Sequence, residues 1–341
     1  MRLKAPIIAV TAAAILAGGG AAWALAASGQ ARPAASGHPT ATVTRARPRP
    51  SSTRPAGPVL EAAGQPAGVK AKGAVLADAA TGQVLWSRDV STQRPMASVT
   101  KVMTALLVLE TGGLNRTIRV PKAAQTYAWK YGGESAGLYP GDVLTAQQLL
   151  EALLLASGAD AAYTLASAYG PGLTGFVAQL NATAARMGMT HTHFTSPDGL
   201  PYPTEYSTYS TPSDLLTLGL AAMRYPVFRS IVDQSFYHLP KGSGHHQYWW
   251  DNTDGLIGSY QGALGIKTGY TDDAGHCLLF EAARNGRTLI GVVLDSPPTG
   301  PAAAVQDAEQ MLNWGFGLHQ QAAPSPAAQK LLPGADEPGT R

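Results

Sequence analysis

Three short stretches of the chain hold residue types whose spacing suits acyl transfer. Ser98-Val99-Thr100-Lys101 sets a hydroxyl and an amine three positions apart. On a helix, residues i and i+3 share a face, so the two groups come within hydrogen-bonding reach. A helix N-terminus at the serine adds oriented N–H groups and a positive end, which favour negative charge on its oxygen. A lysine amine can then take the serine proton, provided burial and nearby cations lower its pKa. The same four residues alone also describe an N-cap serine followed by a solvated lysine.

Lys267-Thr268-Gly269-Tyr270 lies in an apolar run, where a lysine is unusual unless a site needs it. Lys267 and Thr268 suit a substrate carboxylate, and Gly269 would let a peptide approach and pair with a strand edge. An edge lysine that discourages aggregation is the competing reading. Ser157-Gly158-Ala159-Asp160, taken alone, is a turn between two helices.

The elements that must position these residues are legible in outline. Ala74–Asp78 and Gln83–Trp86 read as a β-hairpin around Ala80-Thr81-Gly82. Ser98–Glu110 has apolar residues at helical spacing and stops at Gly112-Gly113. Helices are expected over Ala146–Ala156 capped by Thr145, over Gly175–Met187 capped by Thr174, and from Thr211 or Ser213 to Met223. Strands return at Gly265–Tyr270, Cys277–Arg284 and Thr288–Asp295, the last two joined by Asn285-Gly286. Ala302–Phe316 reads as a final helix. Strands at both ends with helices between them predict an α+β fold, its sheet closed by distant parts of the chain.

Arg2 and Lys4 precede a largely apolar stretch that ends near Ala24-Leu25-Ala26. Residues 1–27 therefore read as a signal peptide or an N-terminal membrane anchor, and export follows from either. Residues 28–67, rich in Pro, Ser, Thr, Ala and Arg, read as a disordered tether, and 319–341 as a disordered tail. One domain is left, 68–318.

Of the 25 Lys/Arg, nine fall in residues 1–72 beside one acid, leaving 16 basic and 21 acidic side chains, a charge of −5, for the rest. That balance argues against a nucleic-acid footprint on the folded part. Cys277, the only cysteine, rules out an internal disulfide and reads as an apolar strand residue. His191, His193, His245 and His246 match no common zinc spacing, so neither metal nor cofactor is expected. Trp249-Trp250 reads as core or hairpin packing.

In combination the three stretches say more than each alone. S-x-x-K, then Ser-Gly-x, then Lys-Thr-Gly on a strand resembles the penicillin-binding serine peptidases and serine β-lactamases. Pro95–Ala105 is similar to the nucleophile region of the D-alanyl-D-alanine carboxypeptidases. His193–Leu200, Asn252–Leu256 and Gly265–Thr271 resemble further segments of that family, so the likeness spans most of 68–318. It implies a β-lactamase-like fold: an antiparallel sheet of N- and C-terminal strands with a largely helical middle. It also implies Ser98 as nucleophile, Lys101 as base, Ser157 as proton relay, and Lys267, Thr268, Gly269 and Tyr270 around the substrate, with the Ser98 and Tyr270 N–H groups as oxyanion hole. Peptidoglycan pentapeptide stems are the implied substrate and β-lactams the implied acylating inhibitors. Endopeptidase or transpeptidase action at the same site, or a non-catalytic wall-binding role, are the alternatives. Ala159 stands where the family usually has Asn. Glu205 lies in surroundings unlike those of a β-lactamase deacylating base, which argues against efficient β-lactam hydrolysis.

Overall fold

The computed structural model describes residues 64–297, 299–300 and 302–318. The leader, most of the tether and the tail therefore lie outside the described residues. Gly64–Ala67, read as tether, are described, and Pro66 among them is buried.

The strands are β1 (Gly73–Asp78), β2 (Val84–Arg88), β3 (Arg94–Pro95), β4 (Thr117–Arg119), β5 (Val143–Thr145), β6 (Tyr209–Ser210), β7 (Phe236–Leu239), β8 (Tyr248–Asp251), β9 (Ala263–Thr271), β10 (Gly275–Arg284) and β11 (Arg287–Ser296). The helices are α1 (Lys101–Thr111), α2 (Lys122–Lys130), α3 (Ala146–Leu154), α4 (Ala159–Tyr169), α5 (Gly172–Arg186), α6 (Pro212–Ala222), α7 (Pro226–Val232) and α8 (Ala302–Gly315).

Five strands form one antiparallel sheet in the order β2-β1-β11-β10-β9. The N-terminal hairpin thus pairs with the last strand, and β9 is left as an edge. Alternate residues of each strand enter opposite cores, because successive strand side chains point to opposite faces. Leu76, Leu278, Phe280, Leu289 and Val293 pack with Met311, Leu312 and Trp314 of α8. Val75, Leu279, Ile290, Val292 and Leu294 join the larger core made with the other helices. Burial of both faces explains why these strands read as nearly continuous apolar runs.

The local signals mostly behave as their chemistry dictates. Thr145 and Gln148 form a reciprocal capping box on α3, and the Thr211 hydroxyl accepts from Asp214 N to cap α6. Thr174 does not cap. Helix α5 begins two residues earlier, at Gly172, straight after Pro171, whose fixed φ leads into the first turn. Helix α3 ends at Leu154, short of Ala156, because Ser157 takes a left-handed φ of 56° that a helix cannot hold.

One packing contact fixes where the middle of the chain meets the helix carrying Ser98. Gly199 has φ 82°, and a Cβ there would collide with the Ala97 carbonyl oxygen and the Thr100 hydroxyl. Replacing Gly199 by Ala is expected to cost at least about 1–3 kcal/mol from backbone strain alone. Denaturant unfolding of G199A against the native chain measures it, and an unchanged midpoint contradicts this packing.

Candidate active site

Ser98 lies in a 3-10 turn, Ala97–Thr100, that runs directly into α1. In a 3-10 turn the side chains at i and i+3 eclipse. Lys101 Nζ accordingly donates to Ser98 Oγ at 2.8 Å, and it also donates to the Asp198 backbone carbonyl at 3.1 Å. Lys101 is 1% exposed while Ser98 remains partly open. Burial pushes the Lys101 pKa down to about 8, opposed in decreasing order by Asp198, Asp160 and Glu134. The turn is strained at Ala97, whose φ is 47°.

Edge strand β9 supplies the second group. Lys267 is also 1% exposed, so it is no solvated edge lysine. Its Nζ donates to Thr268 O at 3.1 Å and contacts Thr268 Oγ1 at 3.3 Å and Thr253 Oγ1 at 3.5 Å. Burial first, then repulsion from Lys101, lowers its pKa to about 7. Two buried amines near neutrality can exchange roles. Lys267 is the weaker base of the two, so an anion bound beside it would be needed to keep it protonated while Lys101 is neutral.

Gly269 is needed for a reason other than the one its sequence suggests. A Cβ there would lie 2.8 Å from Met96 O and 3.0 Å from Ser98 N. What approaches the strand so closely is the turn bearing Ser98, so the glycine sets the seam between β9 and that turn. Tyr270 follows with its side chain half exposed, stacked on His276 at 4.5 Å.

A cleft of about 510 Å³ brings these pieces together. Ser98, Ser157, Thr253, Thr268, Gly269 and Tyr270 all line it. Ser157 is nearly buried on the cleft wall, but among the described residues no side-chain hydrogen bond joins it to Ser98 or Lys101. Ser157 shares the cleft with Ser98 without a direct link to it.

Thr253 was not picked out as a site residue from the sequence. Its hydroxyl meets that of Thr268 at 2.8 Å, and its N–H donates to Leu155 O at 3.2 Å, beside the Ser157 turn. Asn252, held by the Val232 and Gln234 carbonyls, fixes its position. Asp254, two residues past Asn252, is buried, its pKa raised to about 6 by desolvation and pulled back by Leu256 N–H and Lys267. The only signal for Thr253 was its place in an Asn-Thr-Asp-Gly stretch.

Ala159 is fully buried with Ala128 and Leu200, while its N–H donates to Glu134 O at 2.7 Å. Asp160 lies in the first turn of α4, which starts one residue earlier, at Ala159. Its carboxylate accepts from Ser135 Oγ, Ala136 N and Leu138 N and pins the 134–138 loop against the cleft. Glu205 lies on the cleft wall, with Oε2 buried and unpartnered among the described residues. Cys277 is buried on β10, its thiol pushed up to about 12 by desolvation. Trp250 packs inward, its Nε1 donating to Ala136 O, and Trp249 stacks on Phe236 across the β7–β8 hairpin. His246 bonds Asp142 on the same side of that hairpin.

The arrangement can do acyl chemistry: a hydroxyl against a desolvated amine, and a second buried lysine with two threonine hydroxyls for an anion, in one cleft along an edge strand. Comparison with known proteins agrees. Residues 60–298 match the family described as D-alanyl-D-alanine carboxypeptidase. The chain is 38% identical over 250 residues to a D-alanyl-D-alanine carboxypeptidase of Streptomyces sp. K15, covering 70% of this chain and 84% of that protein. It is 41% identical over 254 residues to the D-alanyl-D-alanine carboxypeptidase DacB2 of Mycobacterium tuberculosis, covering 73% and 83%. The crystal structure of the Streptomyces K15 DD-transpeptidase superposes with a TM-score of 0.69 at 36% identity, covering 74% of this chain and 99% of that one.

With Lys101 poised at about 8, acylation of Ser98 by a β-lactam is expected to rise with pH up to that value. Below it the amine is protonated, and the rate falls roughly tenfold per unit. K101A should lose about 10²–10⁴-fold. Stopped-flow acylation between pH 5 and 10 checks both, and a flat profile contradicts a lysine base.

Proposed function

The chain belongs to the D-alanyl-D-alanine carboxypeptidase family, and from that premise we propose that Ser98 is the nucleophile with which it removes the terminal D-Ala of peptidoglycan stem peptides. The observation that carries this reading is the 2.8 Å contact between Ser98 Oγ and a fully desolvated Lys101 Nζ, within a cleft that also presents Thr268 and Thr253.

Ser98 Oγ attacks the carbonyl of the penultimate D-Ala while Lys101 takes its proton. The N–H groups of Ser98 and Tyr270 hold the oxyanion, each such donor supplying roughly 3–4 kcal/mol. The tetrahedral intermediate collapses with cleavage of the C–N bond, and the proton passes by way of Ser157 to the departing D-Ala amine. Water then cleaves the ester and restores Ser98. Lys267 supplies positive potential, and the paired hydroxyls of Thr268 and Thr253 bind the terminal carboxylate.

A peptide amine in place of water would turn the same acyl-enzyme into a transpeptidase, and a cross-linked donor would make the enzyme an endopeptidase. The K15 relatives, named for both carboxypeptidase and transpeptidase action, support keeping these together. The basic and apolar N-terminal stretch supports work on the outer face of the membrane, cleaved or anchored there. Among the described residues no single helix is long and apolar enough to cross a membrane.

Release of D-alanine from a synthetic peptide ending in D-Ala-D-Ala is expected from the native chain and not from S98A. Release by neither protein, with both shown to be folded, rules out the carboxypeptidase reading. The double variant T253V/T268V should raise KM for that peptide about 10²–10⁴-fold, as two hydrogen bonds to a charged group are lost, with a smaller effect on kcat.

A further inference from the structure

The side chain of Asp198 has no part in the scheme above, yet its surroundings are unusual. It is fully buried. One oxygen accepts from Tyr127 OH and Leu200 N, each at 3.2 Å. The other is sealed from solvent and has no hydrogen-bond partner among the described residues. A buried carboxylate oxygen left unpaired is unfavourable unless a nearby cation compensates it.

The cation at hand is Lys101. The Asp198 backbone is locked to it, because its carbonyl accepts from Nζ at 3.1 Å. The loop cannot easily shift: Thr104 Oγ1 donates to Pro197 O at 2.6 Å, Gly199 N donates to Ser196 Oγ at 2.9 Å, and Gly199 is wedged against Ala97. Even so, no ion pair joins the Lys101 and Asp198 side chains within 4.0 Å among the described residues. The carboxylate is held near the amine but out of contact.

Resting on the reading of Lys101 as base, we propose that the buried Asp198 carboxylate is a positioning residue that sets the proton affinity of Lys101 without pairing with it, so that Nζ keeps its contact with Ser98. Direct pairing would hold the lysine cationic and occupy its protons. With no counter-charge, burial alone would leave it too weak a base to take a hydroxyl proton. An offset carboxylate gives an intermediate affinity, where general-base catalysis is most effective.

Other charges face Lys101 as well. Asp160 from α4 and Glu134 from the 134–138 loop also raise its affinity, but less than Asp198 does. Lys267 from β9 repels it, and Tyr127 from α2 reaches it only through Asp198.

The test is the pH profile of benzylpenicillin acylation, with Lys101 followed directly by 13Cε lysine NMR. In D198N both the ascending limb and the Lys101 titration should move down by at least about one unit. D198E should restore most of the shift, and Y127F, which removes the hydrogen bond but not the charge, should leave the limb where it is. A limb and titration unmoved in D198N overturn the proposal, as does a Y127F shift as large as that of D198N. If D198N does not fold, D198S takes its place with the same criteria. Undiminished acylation in K101A would instead sink the base reading, and the NMR titration would still report on Asp198.

Discussion

The structure turns on the desolvation of two lysine amines. Holding an ammonium in a dry interior costs several kcal/mol, so a buried lysine must lower its pKa, find acceptors, or both. Lys101 and Lys267 do both. Backbone carbonyls of Asp198 and Thr268 accept hydrogen bonds from them, and burial lowers their pKa values to about 8 and about 7. That places two desolvated amines beside one cleft, each within reach of hydroxyl groups that line it.

Sealing the amines makes demands on the backbone around them. The turn carrying Ser98 must lie against both β9 and the 196–200 loop, and only glycine fits at the two tightest approaches, Gly269 and Gly199. Strain collects around the cleft, with Ala97 at the seam and Ser157 on the cleft wall both in left-handed backbone conformations. Such conformations persist only where surrounding structure over-determines them. Here the large core beneath α1 and the sheet provides that support.

The sheet contributes by what it leaves open. Helices cover both of its faces, so it can bind a chain only along an edge, and β9 is the edge beside Ser98. Ser157 and Thr253 line the same cleft, Thr253 bridging from Thr268 on β9 to the Leu155 carbonyl beside the Ser157 turn. On this wall the Ala159 methyl group fills a small apolar contact with Ala128 and Leu200, and Asp160 holds the loop above.

Much of this was legible in the residues themselves. Hydrophobic alternation, the Asn285-Gly286 turn, the Thr145 and Thr211 caps and the S-x-x-K spacing are local, and local geometry follows from a few neighbouring side chains. They were enough to place the β1–β2 hairpin, β9 to β11, α1, α6 and α8; Ser98, Lys101, Ser157 and Lys267 stood out only when their three stretches were read together as a family resemblance. Tertiary structure decided what depends on contacts between distant segments. It placed Thr253 against Thr268, made Gly269 a packing glycine, brought Asp198 beside Lys101 and put Glu205 on the cleft wall. It also started α5 ahead of Thr174. Spacing along the chain records which groups can share a face, whereas the burial that lowers a lysine pKa is created only when segments nearly a hundred residues or more apart exclude water together.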